Sequence, residues 1–181
     1  MAIKSTIFKA ELQITDMDRH YYHDHTLTIA RHPSENDARM MLRILAFALH
    51  AHDNLSFTKG LSSEDEPDLW QKSLSDEIEL WIDLGQPDEK RIRRACGRAR
   101  EVAIYTYNRS AADAWWHKMQ GKLQRFSNLR VINISDSIVS SLAGFSQRTM
   151  QLQFTIEDGS ALLSNGEQSM EITPTTIMQN K

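Results

Sequence analysis

The chain has 181 residues, 40% hydrophobic and 25% charged, with a formal net charge of −3; this suits one globular domain, or one with a small appendage, and argues against a general nucleic-acid coat protein or a low-complexity chain. No apolar run approaches the roughly 20 residues of a membrane helix, and Met1-Ala2-Ile3-Lys4-Ser5-Thr6 has no secretory apolar stretch. One cysteine, Cys96, cannot form an internal disulfide, so the expectation is a cytoplasmic, reducing location away from membranes.

Thr6–Asp16 alternates apolar and polar residues through Ile7, Phe8, Ala10, Leu12 and Ile14, and Tyr21–Ile29 reads the same way. With Asp16-Met17-Asp18-Arg19 as a polar turn, the two predict an N-terminal β-hairpin. Ser34 is a candidate N-cap, with Glu35 and Asp37 in the first turn, where the helix dipole favours acids. Met41, Leu45, Ala48 and Leu49 then recur at helical spacing and predict a helix to about Ala51.

Leu55–Thr58 is a short strand candidate, and Leu69–Lys72 and Ile78–Leu84 form a second hairpin around Ser73-Leu74-Ser75-Asp76. Gly85 ends the second strand, and Pro87 opens a helix to Arg100. Its apolar residues Ile92, Ala95, Cys96 and Ala99 form one face. Val102–Tyr107, the helix Ala111–Phe126 and Leu129–Ile134 follow, an order that predicts parallel strands joined by crossover helices. Ser135 or Asp136 caps a short helix to about Ala143. Arg148–Glu157 and a stretch to Ile172 read as strands joined through Asp158-Gly159 and Asn165-Gly166 turns, and Thr173–Lys181 as a tail.

Charge is concentrated around the second hairpin. Glu64–Asp83 holds 8 acids and one Lys, whereas Gln86–Arg130 holds 11 Lys/Arg and 4 Asp/Glu. Such neighbours either place a metal site beside a phosphate-binding surface or compensate one another as solvated surface. If the turn centres between Ser75 and Asp76, Asp68 lies opposite Asp83, with Cβ atoms roughly 4.5–5.5 Å apart. Two carboxylates so close call for a cation, and Mg²⁺ takes one or two carboxylates together with waters and substrate phosphate. Glu79 shares the strand face of Asp83 and adds a third carboxylate if the register shifts.

The segments Glu66-Pro67-Asp68-Leu69-Trp70 and Glu79-Leu80-Trp81-Ile82-Asp83-Leu84-Gly85-Gln86-Pro87-Asp88, followed by Lys90-Arg91, resemble the YaeQ family. Ser34-Glu35-Asn36-Asp37-Ala38-Arg39 and Tyr105-Thr106-Tyr107 extend the resemblance along the whole chain. It implies an α/β (α+β) fold: a mixed sheet flanked by helices, similar to the PD-(D/E)XK nuclease core, with additional N- and C-terminal strands. The expected layout is a single domain, with the N-terminal hairpin in 1–31, the nuclease-like core in 34–145, C-terminal strands in 148–173 and a tail in 174–181.

In that core one acid begins the first hairpin strand, and a second acid, one residue and a Lys follow on the next. Carried over, the resemblance implies metal ligands at Asp68 and at Asp83, with Glu79 as runner-up, and a helix acid at Glu35. Asp83-Leu84-Gly85 departs from the pattern, with Gly where the motif has Lys. Either Lys90 supplies the amine, or Gln86 positions the water, or the role is lost. The expected activity is Mg²⁺-dependent phosphodiester hydrolysis on DNA or RNA. Arg91, Arg94 and Arg98, on one flank of their helix, would join Lys90 in holding phosphates. The alternative is an inactive nuclease-like protein that binds nucleic acid or a transcription or repair protein.

Other features carry less. His23 and His25 share a strand face, without the cysteine spacing of a zinc site. Cys96 lies in an apolar stripe and reads as core rather than nucleophile. There is neither a Gly-x-Ser-x-Gly elbow nor a Gly-rich phosphate loop.

Overall fold

Two long strands, β1 (Thr6–Asp16) and β2 (Tyr21–Arg31), open the chain as an antiparallel hairpin paired from Thr6↔Arg31 to Asp16↔Tyr21. The computed structural model that shows this describes residues 4–180. After the hairpin come α1 (Asp37–Leu49), β3 (Leu55–Phe57), a 3-10 turn at Gly60–Ser62, β4 (Leu69–Lys72), β5 (Ile78–Leu84), α2 (Glu89–Arg98) and β6 (Ala99–Thr106). The chain continues through α3 (Arg109–Leu123), β7 (Leu129–Asn133), α4 (Asp136–Ala143), β8 (Thr149–Glu157), β9 (Ser160–Ser164), β10 (Ser169–Ile172) and β11 (Thr175–Gln179). The class is mixed α+β, with two mixed sheets and flanking helices.

Contacts divide the chain into two units, one with residues up to Ala51 and Ser137–Thr173, the other with His52–Asp136 and Pro174 onward. This partition differs from the expected core at 34–145, because α1 and α4 fall with the terminal strands.

The first unit holds a five-stranded sheet in the order β10-β9-β8-β1-β2. β8 runs parallel to β1, from Lys9↔Thr149 to Asp16↔Ile156, so the N-terminal hairpin and the C-terminal strands form one sheet. Phe8, Leu12, Ile14, Ile29, Leu152, Phe154 and Leu163 are buried on its inner face, and the residues between them are exposed, the alternation of a sheet packed on one side. The Asp158-Gly159 turn is as expected, with both residues at positive φ (52° and 76°). Helix α1 buries every residue from Met40 to Ala48. Its cap is Asn36 rather than Ser34: the Asn36 side chain accepts from the Arg39 N–H at 2.9 Å.

The second unit holds a six-stranded sheet in the order β11-β7-β6-β5-β4-β3. β5–β6 and β6–β7 pair in parallel through α2 and α3, as crossover connections require. Trp81, Ile92, Ala95, Val102, Ile104, Met119, Leu123, Leu129 and Val131 form its core. Residues 175–179 form an edge strand on β7 rather than a tail. Asn180 anchors it, its amide donating to the carbonyls of Leu123, the last residue of α3, and of Phe126 in the turn that follows.

Candidate functional site

The β4–β5 ladder has the expected register at its open end, Leu69↔Ile82, Trp70↔Trp81 and Gln71↔Leu80, although next to the turn the pairing is Lys72↔Ile78. Continued one position, it sets Asp68 across from Asp83 at the open end of the hairpin. The two are buried, 5% and 3% exposed. The ladder slips between Gln71 and Lys72, leaving Glu79 in a bulge. There its carboxylate accepts from the Gln71 amide at 2.8 Å. Glu79 is four residues from Asp83 along an extended strand, about 13 Å, and takes no part in the Asp68–Asp83 pair.

Each acid has a defined local task. The Asp68 N–H donates to the Ile82 carbonyl at 3.0 Å, while its Oδ2 accepts from the Leu84 N–H at 2.8 Å. The side chain thus continues the β4–β5 ladder past its last backbone rung. Asp83 Oδ2 accepts from Trp81 Nε1 at 3.1 Å. Both Asp83 oxygens are gripped by Arg91, whose Nε reaches Oδ2 and whose Nη2 reaches Oδ1, each at 2.9 Å.

Arg91 does more than pair with Asp83. Its Nη1 donates to the Glu64 carbonyl and its Nη2 to the Glu66 carbonyl, each at 2.9 Å. Four of the five N–H bonds of a guanidinium are thereby directed at the carboxylate and the loop. The hydrogen bond to Asp83 and the negative charges of Asp83, Asp68 and Asp88 hold the Arg91 pKa above its ordinary value, against the opposing effect of burial.

The helix that carries Arg91 is placed by local signals. Asp88 caps α2, its side chain accepting from the Arg91 N–H at 2.8 Å, and Glu89 occupies the first turn. The helix therefore begins at Glu89, two residues later than Pro87 suggests. The Pro87 carbonyl accepts from Trp115 Nε1 at 2.7 Å, which fastens the entry of α2 to α3.

One turn and two turns beyond Arg91, Arg94 pairs with the Asp65 carboxylate and Arg98 with the Asp65 carbonyl, each at 2.9 Å. The Arg91, Arg94 and Arg98 stripe staples the Glu64-Asp65-Glu66 loop. The acidic and basic segments face each other and compensate.

The remaining expected residues lie elsewhere. Gln86 donates its amide to the Tyr107 carbonyl at the end of β6. Lys90 is exposed on α2. Gly85 stands just beyond β5 at φ 106°, a backbone conformation L side chains rarely adopt. Glu35 belongs to the first unit and is buried between Arg39 at 2.8 Å and Arg43 at 2.6 Å. Among the described residues no group of three or more His, Cys, Asp or Glu is arranged to share a metal ion.

One further cation on α2, Arg93, was missed from sequence. Lys90 and Arg93 are both exposed, Arg93 on the flank away from the Arg91 stripe and Lys90 at its edge, four residues before Arg94. Glu89 pairs with Arg125 at 2.8 Å and Lys122 at 3.8 Å, bringing the end of α3 alongside. The signal was present in the helical offsets: Arg93 is four residues on from Glu89 and lies on a different face from Arg91 and Arg98.

The comparisons with known proteins agree on family. A family model described as YaeQ protein matches residues 1–174. The YaeQ proteins of Salmonella typhi and Escherichia coli (strain K12) are 47% and 46% identical over 179 residues, covering 99% of both chains in each comparison. The crystal structure of the YaeQ protein from Xanthomonas axonopodis pv. citri matches with a TM-score of 0.94 and 46% identity, covering 98% of this chain and 99% of that one. That of Pseudomonas syringae matches with a TM-score of 0.92 and 32% identity, over 97% of each chain. The chain belongs to the YaeQ family.

Proposed function

We propose that this chain is a nucleic-acid-binding protein that holds its ligand without hydrolysing it, and that its Asp68–Asp83 hairpin is the relic of a PD-(D/E)XK-like metal site in which Arg91 takes the place of the cation. The observation that carries this reading is the two-point grip of Arg91 on Asp83.

A buried carboxylate pair demands positive charge. A divalent ion needs oxygen lone pairs directed at one point. Here both oxygens of Asp83 accept from Arg91, one also accepts from Trp81, and Asp68 Oδ2 accepts from Leu84. The donor set suits a guanidinium and does not fit Mg²⁺. Hydrolysis would also need an amine or amide at the acids. The Gln86 amide is committed to Tyr107, and the position of the motif lysine is Gly85 in a left-handed backbone.

Ligand binding is then a matter of the exposed cations. Lys122 and Arg125 pair with Glu89 on α2, Arg93 stands one turn beyond Glu89 on the same helix face, and Lys90 is exposed next to Glu89 in the chain. Such a patch engages phosphates without reading sequence. The test is fluorescence anisotropy with labelled single- and double-stranded DNA and RNA at several salt concentrations. The expected result is salt-dependent binding weakened by Lys90→Ala with Arg93→Ala. Salt-independent affinity, or affinity untouched by those substitutions, would move the ligand elsewhere. No affinity for any nucleic acid would leave only a protein partner.

A further inference from the structure

The outer face of the sheet in the first unit carries a second, oppositely charged surface. The register aligns two rows of exposed side chains across β8, β1 and β2: Gln153, Gln13 and Asp24 in one, Gln151, Glu11 and Thr26 in the next. A concavity of about 600 Å³ lies over them, bounded at one end by the Asn165-Gly166 turn. That volume is typical of ligand clefts, roughly 300–1,000 Å³. None of these six side chains hydrogen-bonds to another group among the described residues.

The chemistry of the face selects its occupant. Glu11 and Asp24 are diagonal neighbours across β1 and β2, about 7–8 Å apart along the pair, and no cation neutralises them among the described residues. Lys9 is the one Lys or Arg on the face among the described residues, and Glu157 and Glu171 add acids toward the β9–β10 side. The net sign is negative, so the face repels phosphates and repels a second copy of itself. Three carboxamides, Gln13, Gln151 and Gln153, stand side by side, each presenting a donor and an acceptor as a peptide group does. Tyr22, 55% exposed, lies on the same face of β2 next to Asp24. An exposed ring beside a carboxylate suits a guanidinium, which uses both.

We propose that this face binds an extended, basic segment of a partner protein, with Gln13, Gln151 and Gln153 holding its backbone and Glu11, Asp24 and Tyr22 receiving its Arg or Lys side chains. This surface is separate from the cationic flank of α2 and stands whether or not that flank binds nucleic acid.

The test is fluorescence anisotropy of the full chain with a labelled nonapeptide alternating Arg and Ser, beside a control peptide with Glu for Arg. Expected is saturable binding of the basic peptide only, weakened about tenfold by Glu11→Gln with Asp24→Asn. Binding should be unchanged by Lys90→Ala with Arg93→Ala. Glu157→Gln with Glu171→Gln should have a smaller effect than the Glu11 and Asp24 pair, which distinguishes a site from diffuse charge. The substituted residues are exposed, so the variants remain folded, which circular dichroism checks. No saturable binding, equal binding of the acidic peptide, or indifference to Glu11→Gln with Asp24→Asn would overturn the proposal. So would perturbation of the Gln13, Gln151 and Gln153 amide resonances by a neutral oligosaccharide but not by the peptide.

Discussion

Arg91 closes on Asp83 through two N–H···O contacts of 2.9 Å, with the carboxylate almost fully buried and the guanidinium partly open to water. The geometry is the bidentate fork that makes arginine–carboxylate pairs strong. The asymmetry in exposure matters as much as the contact. Removing Arg91 strands a buried charge, whereas removing the charge on Asp83 leaves a guanidinium that water can reach.

Arg91→Ala is therefore expected to destabilise the fold by about 2–4 kcal/mol, read as a lower urea midpoint. Asp83→Asn, which keeps an acceptor for Trp81, should cost less. The double variant should be more stable than the sum of the single effects implies, because the second change relieves what the first exposes. Strict additivity would show that the pair is not coupled.

Asp68 is expected to contribute to stability chiefly as a backbone surrogate, its charge adding less through Arg91 than that of Asp83 does. Its Oδ2 satisfies the Leu84 N–H, and an Asn in the right rotamer supplies the same acceptor. Asp68→Asn should lose little stability, while Asp68→Ala should lose about 1–3 kcal/mol by orphaning a buried donor. Hydrogen exchange at the Leu84 amide separates the two: it should quicken in the alanine variant.

Restoring the motif lysine should fail. Gly85 adopts φ 106°, and no side-chain clash is involved, since nothing lies within 4 Å of the position a Cβ would take. The penalty comes from the backbone itself. Gly85→Lys should destabilise by about 1–3 kcal/mol and confer no metal-dependent cleavage. A stable variant that gains cleavage would contradict this account of the site.

Cys96 is half-buried against the core of the second unit, and burial raises its thiol from 9.0 to about 11. The folded protein therefore holds this proton more tightly than the unfolded chain. The associated stability is complete below pH 9 and is lost as pH rises toward about 11. At pH 8 a thiol reagent should modify native Cys96 slowly and the urea-unfolded chain quickly.

Much of this fold is legible in the sequence, for local reasons. Alternation marks β1, β2 and β8, and the Ser73–Asp76 turn marks the β4–β5 hairpin, in which a one-residue bulge at Glu79 completes the register that brings Asp68 across from Asp83. What escapes a linear reading is long-range. Nothing near Thr149 announces that β8 will lie parallel to β1, or that Thr175–Gln179 will add an edge to β7. At the site, the residue types were visible but their allegiances were not. Arg91, Arg94 and Arg98 look like a phosphate stripe until Glu64, Asp65 and Glu66 fold against them. Glu35 looks like a helix acid for a metal until Arg39 and Arg43 enclose it. A charged stripe declares its chemistry, and only the tertiary structure declares its partner.

The most direct test of the central claim is a cleavage assay. The pure protein is incubated with single- and double-stranded DNA and RNA in Mg²⁺ or Mn²⁺, beside Asp68→Asn and Asp83→Asn variants. The account predicts no metal-dependent turnover by the native chain and no difference between it and the variants. Cleavage that requires the metal and disappears with either substitution would show that Asp68 and Asp83 hold a catalytic ion, and that Arg91 yields its place to it.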